Sequence, residues 1–197
     1  MARRNDHTRE ELFALTLEKV NDFLETRPYH SLSLRKIATM IGYVPSTLIN
    51  VFGSYNLLLL EVVGKTLDEL YQKYEEIEAQ NLTPRQTLEA FSLYYYDFAI
   101  AQPHRWQLVF EHNMHGDPLP LHAGERIYRI TQILEKQILA MEPTQNTQKV
   151  IMTSRVIWGA VHGITELSIG EQFYTQSDLE GKALIKNFLD NYFSAYE

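Results

Sequence analysis

The chain has 197 residues, 45% of them apolar and 22% charged, and a formal net charge of −7, which allows one or two domains with a sizeable core. Cysteine is absent, so disulfides and thiol chemistry are excluded and a cytoplasmic home is expected. No apolar run is long enough to span a bilayer, the MARRNDHTREE start lacks the apolar stretch of a signal peptide, and LLLLEVV after Asn56 is short and carries Glu61, so no membrane partner is expected.

Strand-like alternation is missing, and helical periodicity is cut by prolines and glycines into about nine pieces. The predicted fold is all-α. The first helix opens at Thr8, with Glu11 completing a capping box, and presents Phe13, Leu17, Val20 and Leu24 as its buried stripe. The segment Ser33 to Phe52, SLRKIATMIGYVPSTLINVF, reads as a helix-turn-helix. Leu34, Ile37, Ala38 and Ile41 share one face of a short helix, Gly42 ends it, and Pro45 suits the first position of the next. In that second helix Leu48 and Phe52 face inward, whereas Ser46, Thr47 and Asn50 face out. A short helix with an uncharged polar outer face behind a glycine turn is the form of a recognition helix in a major groove.

A fourth helix runs from about Ser54 to Gln80 with an apolar seam of Leu60, Val63, Leu67, Leu70, Tyr74 and Ile77. The fifth is capped by Thr83 and runs to Gln102, the sixth runs from Pro103 to about Met114, and HGDPLPLH is a loop. The seventh spans Ala123 to Met141 and the eighth Thr147 to Gly170. A Ser177–Glu180 capping box opens the ninth. The chain therefore divides into a helix-turn-helix domain, residues 1–55, and a helical domain, residues 56–197, with the link early in the fourth helix. Charge supports the division: seven Lys/Arg against six Asp/Glu stand in residues 1–55, and eleven against nineteen in the remainder.

Arg35 and Lys36 begin the second helix against its dipole, which makes phosphate a sensible partner, and charge on a solvated face fits nearly as well. Arg3 and Arg4 could reach a minor groove or remain an idle tail. Phe91, Tyr95 and Phe98 share a face of the fifth helix. With Trp106, Phe110, Trp158 and His162 they have the composition of an apolar small-molecule pocket with a few polar tips, and equally of ordinary core. Glu166 lies one turn beyond His162 and fits three roles: a solvated carboxylate first, a partner that orients His162, or a cation ligand. Helix nine is apolar at Leu184, Ile185, Phe188, Leu189, Tyr192, Phe193 and Tyr196, too wide a stripe for one buried side. A homodimer interface is expected there, with Ile164, Leu184, Phe188 and Tyr192 as its residues.

His104, His112, His115 and His122 cluster in sequence, but no carboxylate or cysteine completes a recognisable ligand set. Phosphate loops, G-x-S-x-G and H-E-x-x-H are missing. No metal, cofactor or catalytic activity is expected. The rival reading is a helical metal-binding protein or enzyme using residues 104–122.

The residues Ile37-Ala38, Gly42-Tyr43, Thr47-Leu48-Ile49, Phe52, Tyr55 and Leu58 resemble the helix-turn-helix pattern of TetR-family transcriptional regulators. The helix order is similar as well. Trp158-Gly159-Ala160-Val161-His162-Gly163, preceded by PHRWQLVF at 103–110, is similar to a Trp-His-Gly segment found in one class of TetR C-terminal domains. The resemblance implies a dimeric regulator, a repressor, that holds a near-palindromic double-stranded DNA operator and releases it when a small apolar or aromatic effector binds among helices five to eight. It implies DNA contacts by Arg35, Lys36, Pro45, Ser46, Thr47, Ile49, Asn50 and Tyr55. Two positions depart from the family pattern: Ile49 stands where Tyr is usual and Tyr55 where Lys is usual. These departures keep open a third reading, a TetR-like module without specific DNA binding.

Overall fold

The computed structural model describes residues 7–116, 118–169 and 180–194. Among them it forms helices α1 (Arg9–Leu24), α2 (Leu34–Met40), α3 (Pro45–Phe52), α4 (Tyr55–Glu78), α5 (Pro84–Ala101), α6 (Pro103–Glu111), α7 (Leu121–Met141), α8 (Thr147–Ile169) and α9 (Gly181–Phe193), with a 3-10 turn at Tyr29–Ser31 and no strand. The all-α expectation holds. The sixth helix stops at Glu111 rather than Met114, and the seventh starts two residues early. Arg3, Arg4, Ser177 and Tyr196 lie outside the described residues. No single helix among the described residues is long and apolar enough to cross a membrane.

Local chemistry sets the boundaries. Thr8 and Glu11 exchange hydrogen bonds at the start of α1 (2.7 and 3.1 Å), and Thr83 with Gln86 does the same at α5. Ser54 Oγ accepts from the Leu57 N–H at 3.1 Å and opens α4. That helix leaves α3 at a bend of 62°, turned by Gly53 at φ +90.

The chain forms two compact units: residues 1–66 with 104–124, and 67–103 with 125–197. The first unit takes in the opening half of α4 and all of α6 from His104, beyond the expected boundary at residue 55. In it α1, α2 and α3 pack against one another, and Leu17, Val20, Leu24, Ile37, Ala38 and Leu48 are buried. Phe13, only half-buried, stacks on Phe52 at 4.8 Å. Leu58, Leu59 and Val62 of α4 are also buried. Three helices as short as α1–α3 bury too little apolar surface to stand alone.

In the second unit α5, α8 and α9 pack mutually around Leu88, Phe91, Phe98, Ile157, Val161, Ile185 and Leu189. Polar ties join α4 to α7: Asp68 meets Arg126 Nε (3.1 Å) and Arg129 Nη2 (2.7 Å), and Tyr74 accepts from Gln137 Nε2 at 2.8 Å.

Candidate functional site

The turn between α2 and α3 is built by backbone hydrogen bonds. Ser33 Oγ accepts from the Lys36 N–H at 3.2 Å and starts α2. At its end the Tyr43 N–H donates to Ala38 O (2.9 Å) and the Gly42 N–H to Thr39 O (3.2 Å), with Gly42 at φ +76. This is the paired closure that left-handed glycine permits. Pro45 then takes the first position of α3, preceded by extended Val44.

On α3, Ser46, Ile49 and Asn50 are exposed, Pro45 and Thr47 are half-buried, and Leu48 and Phe52 face the core. The helix PSTLINVF carries no charged side chain. Arg35 is exposed on α2. Lys36 beside it is engaged within the chain: its ammonium donates to Ser31 O at 3.0 Å and stands 4.5 Å from the Phe23 ring centroid. Tyr55 is half-buried, and burial, then the neighbouring Tyr29, raises its hydroxyl pKa. Val44, which the sequence does not mark, is 55% exposed at the turn, and the Tyr43 hydroxyl lies 2.8 Å from His7 Nδ1. Neither position is marked by periodicity.

Within the first unit α6 is tied to the segments that flank the helix-turn-helix. His30 Nε2 lies 2.9 Å from the Glu111 carboxylate, and His112 hydrogen-bonds backbone at Asn56. Burial lowers the His112 pKa, although that bond acts the other way. Among the described residues no three His, Asp or Glu side chains gather closely enough to hold a metal ion.

The aromatic set expected to bind a ligand is divided between the units. Trp106, 1% exposed, and Phe110, 41% exposed, belong to the first unit. In the second, Phe91, Tyr95 and Phe98 are buried on α5, Trp158 and His162 are half-buried on α8, and Glu166 is exposed. Tyr95 joins them: its hydroxyl hydrogen-bonds His162 Nδ1 at 2.8 Å, and its ring lies 5.4 Å from Trp158. Burial lowers the His162 pKa, with Glu166 acting against it. The space left among Phe91, Ser92, Tyr95, Leu134, Trp158 and Val161 is about 10 Å³, room for about one water.

A larger cleft, about 530 Å³, opens elsewhere in the second unit, between α4 (Tyr71, Tyr74), α7 (Tyr128, Arg129, Ile133, Leu139) and the start of α8 (Thr147, Val150). Of its residues Tyr74 alone is marked in the sequence as a packing position, through the α4 seam. Farther along α8, Met152 (62%), Val156 (51%) and Leu167 (38%) leave apolar surface exposed, with Ile164 half-buried. On α9, Leu184, Phe188 and Tyr192 are half-buried.

A family model described as the tetracyclin repressor-like C-terminal domain matches residues 88–192. No curated protein matches the chain. Among solved structures it resembles SCO4313, a candidate regulatory protein, with a TM-score of 0.74 at 16% identity over 98% of this chain and 100% of that one. FadR of Bacillus subtilis, a transcriptional regulator solved with stearoyl-CoA, gives 0.66 at 15% identity over 90% and 96%. AibR, solved with isovaleryl coenzyme A and operator DNA, gives 0.60 at 13% identity over 93% and 97%. At these identities the likeness to the solved structures is one of fold. The family match, by contrast, takes in more than half of the chain, and the protein belongs to the tetracyclin repressor-like (TetR) family of transcriptional regulators.

Proposed function

We propose that the protein is a homodimeric repressor that reads a near-palindromic DNA operator through α3 and leaves it when a small-molecule effector binds the second unit. The observation that carries this reading is the face of α3. Behind the Gly42 turn it presents Ser46, Thr47, Ile49 and Asn50 and no charge. Asn is a bidentate partner for adenine, Ser and Thr bond to base edges, and an exposed aliphatic side chain suits a thymine methyl. Arg35 is the exposed cation close in sequence, and the phosphate contribution is correspondingly small. Operator DNA and acyl-CoA ligands in solved proteins of like fold agree with an effector-responsive regulator.

Dimerisation is supported by the exposed apolar row of α8. Met152, Val156 and Leu167 share its face with Gly159 and Gly163, where an added methyl group would meet nothing within 4 Å. A second copy packing there places the same patch on both subunits. Two recognition helices then sit about one DNA turn apart, roughly 34–36 Å.

The test is selection from a random-sequence duplex pool. The wild-type protein should enrich a two-fold symmetric site, and the double variant Thr47→Ala/Asn50→Ala should enrich none while keeping its helicity and its sedimentation as a dimer. Equal enrichment by both would remove α3 as the reading helix. No enrichment by the wild-type chain would leave the TetR-like module without specific DNA binding as the better account.

A further inference from the structure

Resting on the reading of an effector-responsive regulator, we propose that the effector site is the cleft between α4, α7 and α8. Its ligand is an amphipathic anion: a straight apolar chain with an acidic head, the head held by Arg129.

Size separates two cavities lined by described residues of the second unit. The Tyr95–Trp158 cluster encloses about 10 Å³ and the cleft about 530 Å³. Ligand pockets occupy roughly 300–1,000 Å³, so the cleft admits a molecule as it stands, whereas the space lined by Phe91, Ser92, Tyr95, Leu134, Trp158 and Val161 has room for about one water.

Shape and lining then set the chemistry. From Tyr128 to Leu139 the α7 wall rises about 16 Å, the length of an extended dodecyl chain. Ile133, Leu139, Val150 and Ile151 line it, and Leu139 (46%) and Ile151 (39%) leave apolar surface uncovered. A chain lying along them removes that surface from water.

The head group follows from Arg129. Its guanidinium lies 4.7 Å from the Tyr71 ring centroid, which holds its plane, and 2.7 Å from Asp68 Oδ1. Asp68 also has Arg126 Nε at 3.1 Å. Arg129 can therefore turn to a ligand carboxylate or phosphate while Asp68 keeps a cationic partner. The planar guanidinium fork matches either anion with two parallel hydrogen bonds. The carboxylate lining the cleft does not oppose such a ligand: Glu135 is held by Arg155 Nη2 at 3.1 Å and by Gln132 Nε2 at 2.7 Å. Lys136, 2.6 Å from Glu78, adds a second cation two turns along α7.

The cleft walls α4 and α7 both begin in the first unit, where His122 Nε2 meets Glu61 at 2.7 Å. Drawing Arg129 from Asp68 loosens the tie between those walls.

The experiment is calorimetric titration of the full-length protein with sodium dodecanoate, dodecanoyl-CoA and dodecanol. One dodecanoate or one dodecanoyl-CoA should bind per chain, and preference between them identifies the source of the acidic head. Dodecanol should bind about tenfold more weakly, as should dodecanoate to Arg129→Gln, since a charge-assisted hydrogen bond is lost in each case. Leu139→Trp, which fills a half-exposed wall, should abolish binding without lowering the melting temperature. The proposal is overturned if neither acidic probe binds, or if Leu139→Trp binds as the wild type does. Should Trp158→Phe abolish binding and Leu139→Trp preserve it, the effector occupies the aromatic cluster: the cleft assignment fails and the effector-responsive reading survives. If dodecanoate occupies the cleft and the chain selects no DNA, the regulator reading fails and the cleft assignment stands.

Discussion

The Gly42 turn and the Arg129 cleft are held together over very different stretches of chain. The turn closes through bonds from Tyr43 to Ala38 and from Gly42 to Thr39, all within one short segment. The cleft depends on pairs such as Arg129 with Asp68 and Gln137 with Tyr74, separated by 61 and 63 residues. A segment that satisfies its own hydrogen bonds keeps its form in many surroundings. A cleft whose walls come from three helices exists only where those helices pack.

The comparison can be broken most strongly by emptying one core at a time. Leu48 in the first unit and Ile157 in the second are both 0% exposed. Leu48→Ala and Ile157→Ala should each cost about 2–5 kcal/mol in urea denaturation. Leu48→Ala should also abolish site selection on DNA while leaving dodecanoate binding near the wild-type value. Ile157→Ala should weaken dodecanoate binding first. Equal loss of both functions in both variants would mean that the two units do not behave separately.

A smaller effect sharpens the local side. Gly42 and Gly53 both have positive φ. A methyl group at Gly42 meets nothing within 4 Å, whereas at Gly53 it would lie 3.1 Å from Leu57 Cδ1. Gly42→Ala should therefore cost only the left-handed backbone penalty, about 1–2 kcal/mol, and Gly42→Asn should recover part of it. Gly53→Ala should cost more than Gly42→Ala. The reverse order in thermal melts would contradict the turn geometry.

The smallest effect concerns the histidines. Burial, first among the causes, lowers the pKa of His112 in the first unit and of His162 in the second. Their folded-state values therefore lie below the unfolded one, about 6.5. Above that pH the stability linked to them is fully present. As pH falls below it the unfolded chain takes up protons first, and stability is lost toward the folded-state values. Denaturation midpoints should decline from pH 7.5 to 5.5, and His162→Gln and His112→Gln should each flatten part of the decline. Tyr95→Phe, which removes the 2.8 Å bond to His162, should cost about 1 kcal/mol. A slope unchanged in both histidine variants would assign the decline to other groups.

Much of the fold was legible because helix signals are short-range. The Thr8–Glu11 box, Thr83 before Pro84, Gly42 before Pro45 and the α4 seam from Leu60 to Ile77 each rest on groups one to four residues apart, and the helices begin and end within a few residues of the expected places. The face of α3 follows from the same periodicity, since Leu48 and Phe52 turn inward and Ser46 and Asn50 outward. The open cleft was not legible. Phe91, Tyr95 and Trp158 carry the composition of a pocket, and in the structure the Tyr95 ring lies 5.4 Å from Trp158 with about 10 Å³ left among the residues around them.

By itself the sequence determined the helices, their caps, the turn and the inward and outward faces, because hydrogen bonds and side-chain periodicity within a helix reach only a few residues along the chain. Tertiary structure decided that α6 belongs with the helix-turn-helix unit, that Lys36 is engaged by Ser31 and Phe23, and that a cleft of about 530 Å³ opens beside Arg129. Each of those outcomes depends on how closely side chains from separate helices fit. Close packing turns small differences in that fit into either a filled core or a cavity.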